Sequence, residues 1–265
     1  MIEKSFVRHG LRLAWYDAGG DGLPVVFQHG LGGDMRQTLE AFPRDDRYRL
    51  ITLECRGHGA SEAGPFSIAA FSDDLAALIE AQQLGSVVLG GISMGAAIAT
   101  RLAVKRPDLV HGLLLIRPAW VAETAPANVQ PNSEVGALLA ALPADEARAV
   151  FSQSATYRNL RDAGPDNLVS LLGFFAREPV TTTATLLQAI AADGPGVSVS
   201  ELAALTVPTL VVGTERDFIH PWAMAERLAG VIPNAQLRQA TPKSIDKQAY
   251  LADVHNAIGA FLEDF

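Results

Sequence analysis

GGISMGAAIA, Gly90 to Ala99, decides how this chain is read, because Gly91-Ile92-Ser93-Met94-Gly95 has the G-x-S-x-G spacing of a serine set on a sharp strand-to-helix turn. The apolar run SVVLG precedes it and a helix-forming stretch follows, which is the context the motif requires. Small residues at 91, 95, 96 and 97 let the two arms of such a turn approach each other. A serine held there is a candidate nucleophile, provided that a base lies within hydrogen-bond reach of its hydroxyl. The competing reading is that the glycines serve packing alone.

Outward from that turn, short apolar runs recur at 11–16 (LRLAWY), 25–28 (VVFQ), 48–54, 86–91, 111–116, 208–213 and, more weakly, 235–240. Helical patterns lie between them: Asp73, Leu75, Leu78 and Ile79 share one face, and 96–104 follows the serine turn. This alternation predicts an α/β fold with a mostly parallel sheet covered on both faces. After Pro118 the alternation stops. Residues 134–193 read as helical throughout, with Leu168, Leu171, Leu172 and Phe175 at i, i+3, i+4, i+7. A helical insertion between two strands predicts a core of residues 1–118 and 199–265 and a helical cap, 119–198, lying over the strand ends as a lid. The alternative is one more packed layer. Tyr250, Leu251, Val254, Ile258, Phe261 and Leu262 form a last stripe that docks on the sheet.

The 265 residues are 49% hydrophobic, enough for a buried core, and carry a formal charge of -8 with no basic cluster. That balance argues against a nucleic-acid surface and against a polybasic membrane patch, leaving a small-molecule substrate as the expected partner. One cysteine, Cys55, excludes an intrachain disulfide. The stretch MIEKSFVRHG has no apolar run after its charges, so no secretory signal is expected, and the expectation is a cytoplasmic protein. No His, Asp and Glu cluster has metal-ligand spacing, and no phosphate-binding loop follows a strand, so neither metal nor cofactor is expected.

QHGLGGD, 28–34, directly follows an apolar strand. A glycine-rich turn there points backbone N–H groups into a cleft, and two such donors hold a developing oxyanion; the amides of Leu31 and Met94 are the candidate pair. His29 in this turn is a candidate substrate contact, with a structural role as the alternative. A third stretch, ECRGHGASE, spans 54–62. In this order the HG-x-G turn, the RGHGxS loop, the G-x-S-x-G elbow, a helical insertion and VPTLVVGTERD resemble the α/β-hydrolase superfamily. The resemblance covers nearly all of the chain outside the insertion. It implies an eight-stranded sheet, Ser93 as nucleophile, the Leu31 and Met94 amides as oxyanion hole, and an acid after the strand TLVVG. The matching position is Asp217, with Glu215 as runner-up.

The family's third catalytic member is a histidine after the last strand, and here the chain departs from the pattern. AQLRQATPKSIDKQAY puts that slot near Lys243 or Ser244, and no histidine lies between His220 and His255. His255 falls inside the final helix. His220, three residues beyond Asp217, is the first candidate base because an imidazole titrates in the working range. Lys243 is the alternative base, through a serine–lysine pairing, and His58 a weaker one. Arg117, at the carboxyl end of HGLLLI, is a candidate ligand for a substrate carboxylate, or else an ion-pair partner within the protein. His9 and His111 read as surface residues and Cys55 as a packing residue. The resemblance implies hydrolysis of a small, fairly apolar ester, lactone or related carbonyl compound. A lyase, isomerase or cyclase using the same cavity, or an inactive ligand-binding relative, are the alternatives.

Overall fold

The structure, a computed structural model, describes residues 2–265. Its eight strands are β1 (Ile2–Arg8), β2 (Leu11–Asp17), β3 (Leu23–Gln28), β4 (Tyr48–Leu53), β5 (Val87–Ile92), β6 (Val110–Ile116), β7 (Thr209–Thr214) and β8 (Ala235–Ala240). They form one sheet in the order β1-β2-β4-β3-β5-β6-β7-β8. β2 pairs antiparallel with both β1 and β4, and every other neighbouring pair is parallel. The central strands β5, β6 and β7 are almost wholly buried, as a sheet covered on both faces requires.

Strand alternation divides the core in two. Val26, Leu53, Leu89 and Leu113 face α2 (Ile68–Ala81) and α3 (Met94–Lys105). Val25, Phe27, Val88 and Val212 face the other way, onto Tyr250, Val254, Ile258 and Phe261 of the final helix, Lys247–Leu262. Helix α1 (Met35–Ala41) covers the same face.

Between β6 and β7 lie α4 (Gln130–Ala141), α5 (Ala144–Phe151), α6 (Ala155–Ala163), α7 (Pro165–Phe174), α8 (Val180–Ala191) and the short α9 (Val199–Ala203). Helix α10 (Trp222–Val231) follows β7, and the final helix is α11. The helical stretch expected over 134–193 is therefore broken rather than continuous. Pro143, Pro165 and Pro179 stand at or just before the starts of α5, α7 and α8, where a missing N–H costs nothing, and Ser154 caps α6 by accepting from the Tyr157 amide. No helix among the described residues is long and apolar enough to cross a membrane.

Candidate active site

The carboxyl ends of the three central strands each break sharply. Ser93 follows β5 at φ 56°, Arg117 follows β6 at φ 48°, and Arg216 lies two residues past β7 at φ 54°. Backbone strain of this kind costs on the order of 1–3 kcal/mol per residue and persists only where the surroundings over-determine it. Here the ladder does so: the Ser93 amide donates to the Ile116 carbonyl at 3.0 Å and the Arg117 amide to Val212 at 2.7 Å. The elbow also has no room for side chains beside Ser93. A methyl on Gly91 would sit 2.6 Å from the Gly95 backbone, and one on Gly95 would overlap the Gln28 carbonyl.

This turn aims Ser93 Oγ at His220 Nε2, 2.8 Å away. His220 Nδ1 lies 2.8 Å from Asp217 Oδ1. An ionised carboxylate only accepts, so Nδ1 carries the ring proton and the Nε2 lone pair faces the serine hydroxyl. Both members of this pair come from the loop after β7. Glu215 on the same loop is exposed and makes no hydrogen bond or ion pair with His220.

Asp217 is nearly inaccessible. Its Oδ1 also accepts from the His220 amide and from Asn167 Nδ2, and its Oδ2 accepts from Arg117 Nε at 2.6 Å and Nη2. Burial alone would raise its pKa, but the Arg117 guanidinium and His220 hold it well below the usual carboxylate range. The His220 pKa is lowered: burial disfavours the cation, Asp217 pulls it back up, and Arg117 pushes down again.

The glycine-rich turn after β3 packs against the serine. Gly30 is close enough that a methyl there would lie 3.4 Å from Ser93 Cβ, and its amide donates to Gln37 Oε1 at 2.7 Å. The Leu31 and Met94 amides have no acceptor among the described residues. A chamber of about 90 Å³ opens beside Ser93 and His220, walled by Trp120, Val129, Leu171, Phe174 and Ile219. Helices α4 and α7 of the segment between β6 and β7 thus supply much of its roof. Among the described residues no three His, Cys, Asp or Glu side chains are grouped so as to hold a metal ion.

A family model described as alpha/beta hydrolase fold matches residues 24–243. The chain belongs to the α/β hydrolase fold family. Relatives of this chain include the sn-1-specific diacylglycerol lipase ABHD11 of Mus musculus, 35% identical over 126 residues, 46% of this chain and 39% of that protein. The chain therefore spans well under half the length of that relative. A thermophilic esterase from Thermogutta terrifontis is 26% identical, with a TM-score of 0.74 over 100% of this chain and 99% of the esterase. The enol-lactonase from Burkholderia xenovorans LB400, at 22% identity, TM-score 0.73 and 98% and 100% coverage, is alike in fold.

For four candidates the structure places the side chain away from the serine hydroxyl or in the non-catalytic alternative stated for it. Arg117 lines the chamber but is buried, and its charge is met by Asp217 and Asp166, the ion-pair alternative stated for it. Lys243 stands 3.1 Å from Asp166 rather than bonded to Ser93. His29 is fully buried: Nδ1 donates to the Gly30 carbonyl, Nε2 accepts from the Cys55 amide, and burial lowers its pKa to about 4. It fixes the turn and does not line the chamber. His58, the weaker candidate base, is likewise fully buried and accepts from the Gly32 amide. His255 lies on α11, against the Glu40 carbonyl. Two residues at the site carried no signal in the sequence. Asn167 and Asp166 open α7, where an Asx pair reads as an ordinary helix start.

Proposed function

We propose that this α/β hydrolase cleaves a small carboxylic ester, lactone or related carbonyl compound, with Ser93 as nucleophile, His220 as general base and acid, and Asp217 as the group that orients and charges the imidazole. The observation that carries the reading is the continuous Ser93–His220–Asp217 row, with both links at 2.8 Å. Ser93 Oγ attacks the carbonyl carbon as its proton passes to His220 Nε2. The oxyanion is held by the Leu31 and Met94 amides. Collapse expels the leaving alcohol, which takes the proton from His220, and leaves an acyl-serine. Water repeats the sequence on that ester, giving up a proton to His220, and Ser93 is released with the carboxylic acid. Helices α4–α8, within residues 119–198, act as the cap that keeps bulk water from the acyl-enzyme.

The test is intact mass after incubation with a fluorophosphonate. A single adduct is expected on the wild type and none on Ser93→Ala. His220→Ala is expected to slow ester turnover by roughly three orders of magnitude or more. A folded wild-type protein that takes no adduct and turns over no ester overturns the reading and favours non-covalent chemistry in the same cavity.

A further inference from the structure

The chamber at Ser93 is one of two neighbouring cavities. A larger cleft of about 740 Å³ shares Leu31, Gln37, Ser170 and Phe174 with it. Its far wall is the connection from α7 to α8, and its floor is the Gly57–Gly59 turn. Two of the charges there are accounted for: Asp34 is tied to Arg36, and Glu178 is exposed with its carboxylate on the Val180 amide.

Arg177 is different. Its Nη1 donates to Thr183 Oγ1 at 2.9 Å and its Nη2 to the Gly57 carbonyl at 2.6 Å. Nε and the second N–H of each Nη have no acceptor among the described residues, and no carboxylate lies within ion-pair distance. Arg49, Arg56 and Arg117 each meet an aspartate, and Arg101, which like Arg177 meets only neutral acceptors, lines neither cavity. Arg177 is half-buried, and burial is the one influence that moves its pKa, downward. A guanidinium withdrawn from water without a counter-charge is costly, and a planar carboxylate offers the two acceptors that match its fork.

We propose that the outer cleft is the subsite for the end of the substrate remote from the scissile bond, and that Arg177 binds a carboxylate there. The preferred substrates are then small esters bearing a free carboxylate several bonds from the carbonyl that Ser93 attacks. This rests on the hydrolase reading above, since the inner chamber must hold the reacting carbonyl.

The experiment compares mono-4-nitrophenyl adipate with 4-nitrophenyl hexanoate, which have equal acyl length and differ in the terminal carboxylate. The wild type is expected to favour the adipate ester in kcat/KM by about tenfold or more, the worth of one charge-assisted hydrogen-bonded pair. Arg177→Gln is expected to collapse that ratio, and Arg177→Lys to retain part of it. An equal loss on both esters would mean that Arg177 only ties Thr183 to the Gly57 turn, and would overturn the proposal. So would a wild type that prefers the hexanoate. Calorimetric binding of adipate to Ser93→Ala separates the two readings: adipate bound through Arg177 without any ester turnover sinks the hydrolase reading alone. Ester turnover with neither adipate binding nor a carboxylate preference sinks the anion subsite alone.

Discussion

Five donors converge on the two carboxylate oxygens of Asp217, three on Oδ1 and two on Oδ2. Arg117 supplies both of the latter while its Nη2 also reaches Asp166 at 2.9 Å and its guanidinium lies 5.6 Å from the centre of the Tyr250 ring. The acid is therefore held ionised, but the same cation disfavours a proton on His220. Sign follows directly. If His220 is the general base proposed above, it works when neutral, so activity falls as pH drops through its pKa, which lies below the ordinary value. Arg117→Gln removes one downward influence, raises that pKa, and is expected to move the acid limb of the kcat/KM–pH profile to higher pH. It should also cost about 3–5 kcal/mol of stability, because Asp217 and Asp166 lose a buried counter-charge. An acid limb that stays put or moves to lower pH would show that Arg117 does not tune the base. Ser93, Asp217 and His220 were legible as residues because motif and loop adjacency name them. The partner of Arg117 was not, since an arginine at a strand end looks the same whether it faces substrate or an aspartate 100 positions along the chain.

Among the elements, α7 does more than cover the site. Asn167, in its first turn, accepts from the Phe218 and Ile219 amides through Oδ1 while Nδ2 donates to Asp217. One side chain of the segment between β6 and β7 thus sets the backbone of the loop that carries Asp217 and His220. Asn167→Ala leaves the buried Ile219 amide and the partly buried Phe218 amide without their acceptor and is expected to destabilise the fold by roughly 2–4 kcal/mol. Its sharper signature is a fall in kcat of about tenfold or more with little change in KM, accompanied by slower fluorophosphonate labelling. Loss of stability with unchanged labelling rate would mean that the loop holds its shape without α7. The element scale is also where pattern reading ran short. β1 was absent from the strand expectations because its residues 3–8 alternate exposed and half-buried on a sheet edge, with Glu3, Lys4 and Arg8 among them. It pairs with β2 around His9 and Gly10, both at positive φ, a two-residue hairpin that only the backbone reveals. The buried strands β3 to β7 announced themselves as apolar runs, whereas Asn167 met its partners only through tertiary packing.

For the whole molecule, two buried imidazoles brace the glycine-rich turns at 28–34 and 54–62 that border the cavities. The His29 and His58 rings lie 4.7 Å apart, fully buried, and each uses both nitrogens on the backbone. In each, one nitrogen must accept, so protonation breaks a hydrogen bond as well as charging the interior. Burial holds His29 at about 4 and His58 well below its ordinary value, and each ring's charge would disfavour the other's. Because their folded pKa values are depressed, their contribution to stability is complete above about pH 6.5 and drains away as pH falls toward the folded values. For His29 alone, the drop from 6.5 to about 4 corresponds to about 3 kcal/mol at most. Glu54 opposes this: burial raises its pKa, so its contribution is present in acid and lost as pH rises. His220 is depressed as well and Asp217 is held low, so three histidines and that aspartate stand against one glutamate, and urea unfolding at pH 7.0, 5.5 and 4.5 is expected to give steadily lower stability, with net proton uptake on unfolding at pH 5.5. His58→Gln, whose amide can both donate to the Arg56 carbonyl and accept from Gly32, should flatten that slope. A stability that is level from pH 7.0 to 4.5 in the wild type would mean that the histidine pair takes up protons without opening the fold, and that the turn beneath Ser93 tolerates charge.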